Sequence, residues 1–462
     1  MVRSHHRRRL RRAGWAGALD PGPTLWPGGD PPPRGGNRVE VLVDGDQALA
    51  AVAAAIREAK SHIHITGWHL NPRFVMTRDA PSAILQDLLA DASRSVNVRV
   101  LLWAGAPLPL FRPARGDVRK VRAALCRGNS IECALDARER PMHCHHDKTI
   151  VIDDRVAFVG GIDLTDFGGH RLDQNQHPSR AGVGWHDAAA RIEGPAVQDV
   201  AEHFLLRWGA TTGVQLPSPT VPGAVGETTV QVVRTVPDGM YRELPRGDFR
   251  ILEAYMGALR AAQRFIYLEN QFLWSPEILE VLRDKLWRPP TPGFRMVVLL
   301  PARPNSGGDD TRGQLSTLNE ADGGAGRFLA CTLISPGGRS GNPVYVHAKI
   351  GIVDDTWMTL GSANLNEHSL FNDTEMNIVT RDEPLVRDTR ERLWSEHLEV
   401  ARDALTGDPC AQVDALWKPL AFAQAARHRR GDPPTHRLTT LPGISKRGGL
   451  LLGPLQGLTV DA

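Results

Sequence analysis

Apolar residues recur along this chain with two alternating periods. From Gln47 to Lys60 they fall at helical spacing in an alanine-rich stretch, which predicts an amphipathic helix. His62 to Gly67 (HIHITG) then alternates as a strand does, and Val96 to Trp103 (VNVRVLLW) is an apolar run typical of buried parallel strands. The order returns later as a helix from Phe249 to Gln263 and strands from Phe265 to Glu269 and Met296 to Leu300. Each series closes on a similar helix, Val197 to Trp208 and Val386 to Leu398. Strands alternating with helices predict an α/β fold. An offset of roughly 200 residues means two copies of one unit, too long for a solenoid repeat. Two pseudo-twofold-related α/β/α lobes sharing one central cleft are therefore expected.

Composition sets the boundaries. Residues 1–37 are basic and then dense in Gly and Pro, and read as a flexible leader with structure starting near Val39. The first lobe is expected over 38–210, a Pro/Gly/Thr-rich linker over 211–228, the second lobe over 229–402, and a tail over 403–462 with a helix-like stretch from Val413 to Arg427. With 41% hydrophobic and 23% charged residues among 462, the chain is an ordinary globular sequence. It has no apolar window long enough to span a bilayer and no secretory apolar region, so a cytoplasmic protein, peripheral on membrane, is expected. Five cysteines, an odd number, argue against a disulfide framework.

Net charge is +3, yet residues 1–12 alone carry six arginines, so the body is slightly acidic. Nucleic-acid binders draw affinity from a basic surface, and no nucleic-acid partner is expected. The arginine-rich start reads as a solvated tail.

The repeat is sharpest in His146-Asp147-Lys148 followed at Asp153, and His347-Ala348-Lys349 followed at Asp354. Both are H-x-K-x4-D, 201 residues apart. After each Asp come a small pair, Gly160-Gly161 or Gly361-Ser362, and then Asp163 or Asn364. A short motif alone is weak, but two copies in register with the repeat are not, and they use two of only seven lysines. His and Lys two apart point to one face of a strand. Two histidines across a cleft can divide labour as nucleophile and general acid. Two lysines and Asn364 can hold a phosphoryl group and offset charge on its oxygens. Such a set cleaves phosphodiesters and needs no cofactor. The cluster His143-Cys144-His145-His146 has metal-ligand residue types, but neighbours on an extended chain face opposite sides and no C-x-x-C accompanies it. No metal site is expected from sequence.

The two motifs resemble the HKD signature of the phospholipase D superfamily over roughly residues 39–400. GGIDL at Gly160–Leu164, GHRLD at Gly169–Asp173, His177-Pro178, Trp185-His186-Asp187 with RIEGPAV after it, and YLENQF at Tyr267–Phe272 are similar to the eukaryotic-type phospholipases D. The resemblance implies a phosphohistidine intermediate on His146, with His347 as general acid/base and Lys148, Lys349 and Asn364 on the phosphate. It implies that Gly361, Ser362 and Gly161 keep the phosphate loop tight, and that Glu269, Asn270 and Gln271 reach the cleft. Asp187 and Glu375 are placed to orient the histidine rings. Asp153 and Asp354 belong to the catalytic motifs, although their places near strand ends suit structural roles. Asp163 departs from the Asn of many members and is assigned no substrate contact. The implied activity is hydrolysis of glycerophospholipids to phosphatidic acid, or phosphatidyl transfer to an alcohol, by a monomer at a membrane surface. The rivals are a cardiolipin-synthase-type transferase, a nucleic-acid phosphodiesterase and an inactive lipid-binding scaffold. Trp274, the loop Ala104–Phe111 and the loop Pro304–Arg312 are candidates for a lipid-contacting rim and lid.

Overall fold

The computed structural model describes residues 2–22, 24–77, 83–107, 112–141, 143–165, 184–302, 304, 308–335 and 341–441. In the first half the strands are β1 (Arg34–Val43), β2 (His62–Gly67), β3 (Asn97–Trp103), β4 (Glu132–Asp136), β5 (Thr149–Ile152), β6 (Val156–Gly160), β7 (Gly184–His186) and β8 (Ala188–Glu193). The second half supplies β9 (Thr228–Val236), β10 (Asp248–Phe249), β11 (Phe265–Glu269), β12 (Arg295–Leu299), β13 (Phe328–Ser335), β14 (Asn342–Val346), β15 (Ile350–Val353), β16 (Trp357–Gly361) and β17 (Glu375–Thr380), with β18 (Leu438–Thr440) following.

The first sheet runs β4-β3-β2-β5-β6-β8-β1, and its β4-β3-β2 part is parallel. The second runs β13-β12-β11-β15-β16-β17-β9 with the same senses in the same places. The duplication read in the sequence is thus a duplication of topology. Helices Asp44–Glu58 and Arg250–Ala261 occupy equivalent steps after β1 and β9, as do Val197–Thr212 and Glu383–Leu398 after β8 and β17. The sheets meet around β6, β8, β16 and β17, where one buried core joins Val159 and Ala190 to Leu360 and Ile378. Separate apolar cores lie between each sheet and its outer helices. Among the described residues, no helix is long and apolar enough to cross a membrane.

Several expectations change. The stretch read as a flexible leader begins with helix Val2–Ala13, because Leu10 and Ala13 fit the core of the second half. His6 stacks on Phe371 and meets Glu277 Oε1 at 2.9 Å, and Arg9 bonds Asp238, Asn372 and the Phe371 carbonyl. Strand β1 begins at Arg34, whose guanidinium grips Asp199 with two bonds of 2.6 and 2.7 Å. The tail is helical over Val413–Trp417 and Lys418–Arg430, as expected, and as far as residue 441 it packs on the second half. Trp417 is buried with its ring 5.2 Å from Trp394 and 5.8 Å from Tyr267, and β18 pairs with β13. The loop expected over Pro304–Arg312 turns helical at Gly308, and its residues 305–307 lie outside the described residues. Trp274, expected at an exposed rim, is 4% exposed and packs edge-on against His368. Ala104 and Ala106 are buried, and residues 108–111 of that loop lie outside the described residues.

Trp417→Ala removes an aromatic from a closed core, which costs about 3–5 kcal/mol. A matching fall in the denaturant midpoint, with loss of the tail's protection from proteolysis, is the expected result.

Candidate active site

Two short parallel bridges tie the halves together, and the site grows out of them. Strand β7 pairs with β14 of the other half, setting Val346 opposite His186. The next residues are His347 on one chain segment and Asp187 on the other. The His186 carbonyl accepts the backbone N–H groups of His347 and Ala348 at 2.7 and 3.1 Å. Asp187 Oδ2 lies 2.6 Å from His347 Nδ1. The twofold-related place has a bridge from His145 to Thr374, and the N–H of His146 donates to the Thr374 carbonyl at 2.9 Å. Glu375 follows, with its two oxygens 2.9 and 3.1 Å from His146 Nδ1. All four side chains are buried. Each histidine therefore takes its carboxylate from the opposite half. The H-x-K residues stand in extended chain just before β5 and β15 rather than inside a ladder, because their N–H groups reach across this boundary.

Lys148 Nζ donates to its own His146 carbonyl at 2.8 Å and lies 3.3 Å from Asp163 Oδ2. Lys349 Nζ donates likewise to the His347 carbonyl and to Gln271 Oε1. Asn364 Nδ2 reaches the same Gln271 oxygen at 3.4 Å. Among the described residues, an acid faces Lys148 and an amide faces Lys349. Ser362, expected to keep the phosphate loop tight, gives its hydroxyl to Glu375, as does Ser369. Burial pushes the Glu375 carboxyl above its usual range, against the pull of His146.

The glycines act through packing. A Cβ on Gly161 would stand 2.2 Å from Asp187 Oδ1, and one on Gly361 would stand 2.3 Å from the Met376 carbonyl and Asn377 Oδ1. A side chain at 161 would strike the Asp187 carboxylate itself, and one at 361 would displace the strand that carries Glu375.

Other expected residues stand elsewhere. Asp153 and Asp354, counted with the catalytic motifs, sit past the far ends of β5 and β15. Asp153 accepts the N–H groups of Lys60, Ser61 and His62, and Asp354 those of Gln263, Arg264 and Phe265. They fasten the start of the neighbouring strand, and their left-handed φ values of 57° and 53° turn the chain there. Glu269, expected at the substrate, is sealed in the interior, bonded to Tyr267 at 2.5 Å, His186 Nε2 at 2.8 Å and His397 Nε2 at 3.0 Å. Asn270 spends its carbonyl on the N–H groups of Phe272 and Leu365. Of the three, only Gln271 joins the lysine and asparagine. Asp163 offsets Lys148 and accepts the Trp68 N–H at 3.1 Å. The GHRLD run and His177-Pro178 lie outside the described residues.

A second buried network escaped the sequence reading. Asp147 alternates away from His146 and Lys148 and meets Arg207, which also binds Asp136. Tyr241 donates to Asp136 and Thr374 to Asp147, so residues of the second half close the cluster. Burial opposes charge on these acids, but Arg207 and the neighbouring histidines hold both well below the usual carboxylate range. The period-two alternation could have flagged Asp147 as facing inward; nothing in the sequence ties it to Arg207. Trp185, within the WHD run, was not singled out either. Its ring lies 5.0 Å from that of His347 and 4.6 Å from that of Tyr345.

Comparison with known proteins agrees with this architecture. The phospholipase D family model matches residues 55–235, and the cardiolipin synthase, PLD-like domain model matches 256–396. The chain belongs to the phospholipase D superfamily. Phospholipase D A of Dictyostelium discoideum is 26% identical over 79% of this chain and 36% of its own length. Phospholipase D2 of Bos taurus is 26% identical over 76% of this chain and 50% of its own. Phospholipase D alpha 4 of Arabidopsis thaliana is 28% identical, with 75% and 62% covered. The chain thus spans only about a third to three fifths of the length of these curated relatives. The crystal structure of phosphatidylserine synthase from Haemophilus influenzae shares the fold, with a TM-score of 0.55 and 14% identity over 85% of this chain and 93% of that one.

The Glu269 network is testable by pH. Burial pulls His186 down, but Glu269 and Asp44 outweigh it and hold the ring well above its usual range. Burial pushes Glu269 up, and the histidines outweigh that in turn. The Glu269 contribution is complete above the unfolded value of about 4.3 and is lost as pH falls through the lower folded one. The His186 contribution is complete below about 6.5 and is lost as pH rises through its raised folded value. Glu269→Gln breaks a buried pair, at about 3–5 kcal/mol. Urea unfolding of wild type and variant should differ most between about pH 4.5 and 6.5 and converge in acid.

Proposed function

We propose that this chain is a phospholipase D, cleaving the distal phosphodiester of a glycerophospholipid through a phosphohistidine. The observation that carries the reading is the pair of buried histidines, each bonded through Nδ1 to an acid of the other half, with a motif lysine beside each. A carboxylate on Nδ1 fixes the tautomer, makes Nε2 the reacting nitrogen and stabilises the imidazolium.

His146 Nε2 attacks phosphorus, forming the N–P bond as the P–O bond to the headgroup breaks. Protonated His347 gives its proton to the departing oxygen. Neutral His347 then takes a proton from water or an alcohol, whose oxygen displaces His146 and yields phosphatidic acid or a phosphatidyl alcohol. Lys148, Lys349 and Asn364 bind the non-bridging oxygens. The lipid substrate class is supported by the eukaryotic phospholipases D that the chain resembles, and a phospholipid surface is the expected partner.

The test is turnover of phosphatidylcholine by the purified chain with ethanol present. Phosphatidic acid together with phosphatidylethanol is expected. His347→Ala should lower both by ~10²–10⁴-fold, and His146→Asn should abolish phosphate trapped on the protein. Transfer only from one phosphatidylglycerol to another would favour a cardiolipin-synthase-type acceptor. Activity confined to nucleic acid, or turnover indifferent to His146→Asn, would overturn the reading.

A further inference from the structure

Beside the nucleophile lies a polar cluster that the proposed chemistry leaves unused. His143 and His368 face each other with 2.9 Å between their Nδ1 atoms, and His143 Nδ1 is 3.5 Å from Asp373 Oδ1. One donor atom from each of the three lies within 4.8 Å of the other two. Asp373 is wholly buried: its Oδ1 accepts the Cys144 N–H at 2.8 Å, while its Oδ2 has no hydrogen-bond partner. A buried carboxylate oxygen without a partner is costly. One proton between the two imidazoles pairs their facing nitrogens, whereas a cation held by both rings and the carboxylate also offsets the buried charge of Asp373.

We propose that His143, His368 and Asp373 form a binding site for a zinc-type divalent metal ion, with water as the fourth ligand. Two imidazoles and one carboxylate suit zinc better than calcium or magnesium, which prefer an all-oxygen shell. Metal–ligand bonds of about 2.0–2.2 Å in a tetrahedron put donors roughly 3.3–3.5 Å apart, so the His143–His368 pair needs to open by only a few tenths of an ångström. The His143 side chain is 14% exposed, which gives the ion a way in.

The site would join the halves at their most consequential point. His143 stands three residues before His146, and Asp373 two before Glu375. A metal here clips together the two segments whose register sets the His146–Glu375 bond. It holds the nucleophile's support in place and touches no reacting atom. Sequence neighbours alone argued against a metal, because the ligands that complete the set come from more than 220 residues away.

The test uses the full chain, stripped with chelator and titrated with Zn²⁺ and with Co²⁺. One ion per chain, the visible absorption of tetrahedral Co²⁺ and a metal-dependent rise in thermal midpoint are expected. His143→Gln alters a partly exposed ring, so the metal-free variant should keep the wild-type midpoint while binding falls at least ~10-fold and the metal-dependent rise disappears. Asp373→Asn should weaken binding similarly. Equal binding by wild type and His143→Gln, or no uptake by folded wild type, would overturn the proposal.

Discussion

Each of the two site histidines is oriented by a carboxylate that it cannot obtain from its own half. His146 takes Glu375 and His347 takes Asp187, and in both cases a parallel backbone bridge one residue earlier sets the register. A one-residue slip at either bridge would turn the acid to the opposite face. The remaining constraints follow from this exchange. Glycine is needed at 161 because the Asp187 carboxylate lies against it, and at 361 because the backbone just after Glu375 does. The apolar core running from β6 and β8 into β16 and β17 is needed because only a fixed boundary between the sheets can hold four polar groups in place while they are buried.

The site rests on buried charge on both sides of that boundary. Asp44, His186, Glu269 and His397 brace the segment that ends in Asp187, and the N–H of Asp187 itself donates to Asp44 at 3.0 Å. Arg207, Asp136, Asp147 and Tyr241 brace the segment that begins with His145 and His146. The motif glutamate of ENQ and the motif aspartate between His146 and Lys148 belong to these supports rather than to the cleft. The bracing is not symmetrical: position 147 is Asp and its counterpart 348 is Ala, and Asp163 answers to Asn364. The duplicated fold thus carries two halves that differ at equivalent positions.

Much of this was legible in the chain. Periodicity placed β2 and β11 to the residue and the helices around them to within a turn, because alternation and helical spacing are set by the local chain. The duplicated motif pointed to His146, Lys148, His347 and Lys349, which the structure gathers into two clusters built on one plan. The N-terminal helix was missed because its buried face is only Leu10, Ala13 and a few polar groups that find partners in the second half. Polar residues whose partners lie far off in sequence read as solvated until the fold supplies those partners.

The sequence by itself determined the duplication, the α/β class and the paired H-x-K motifs, since these rest on local periodicity and on spacing along one strand. Tertiary structure decided which acid serves which histidine, that Asp153, Asp354 and Glu269 are fasteners rather than cleft residues, and that His143 meets His368 and Asp373. Those outcomes depend on pairings across the boundary between the halves. Local chain geometry fixes which face a side chain occupies, but only packing fixes what that face meets.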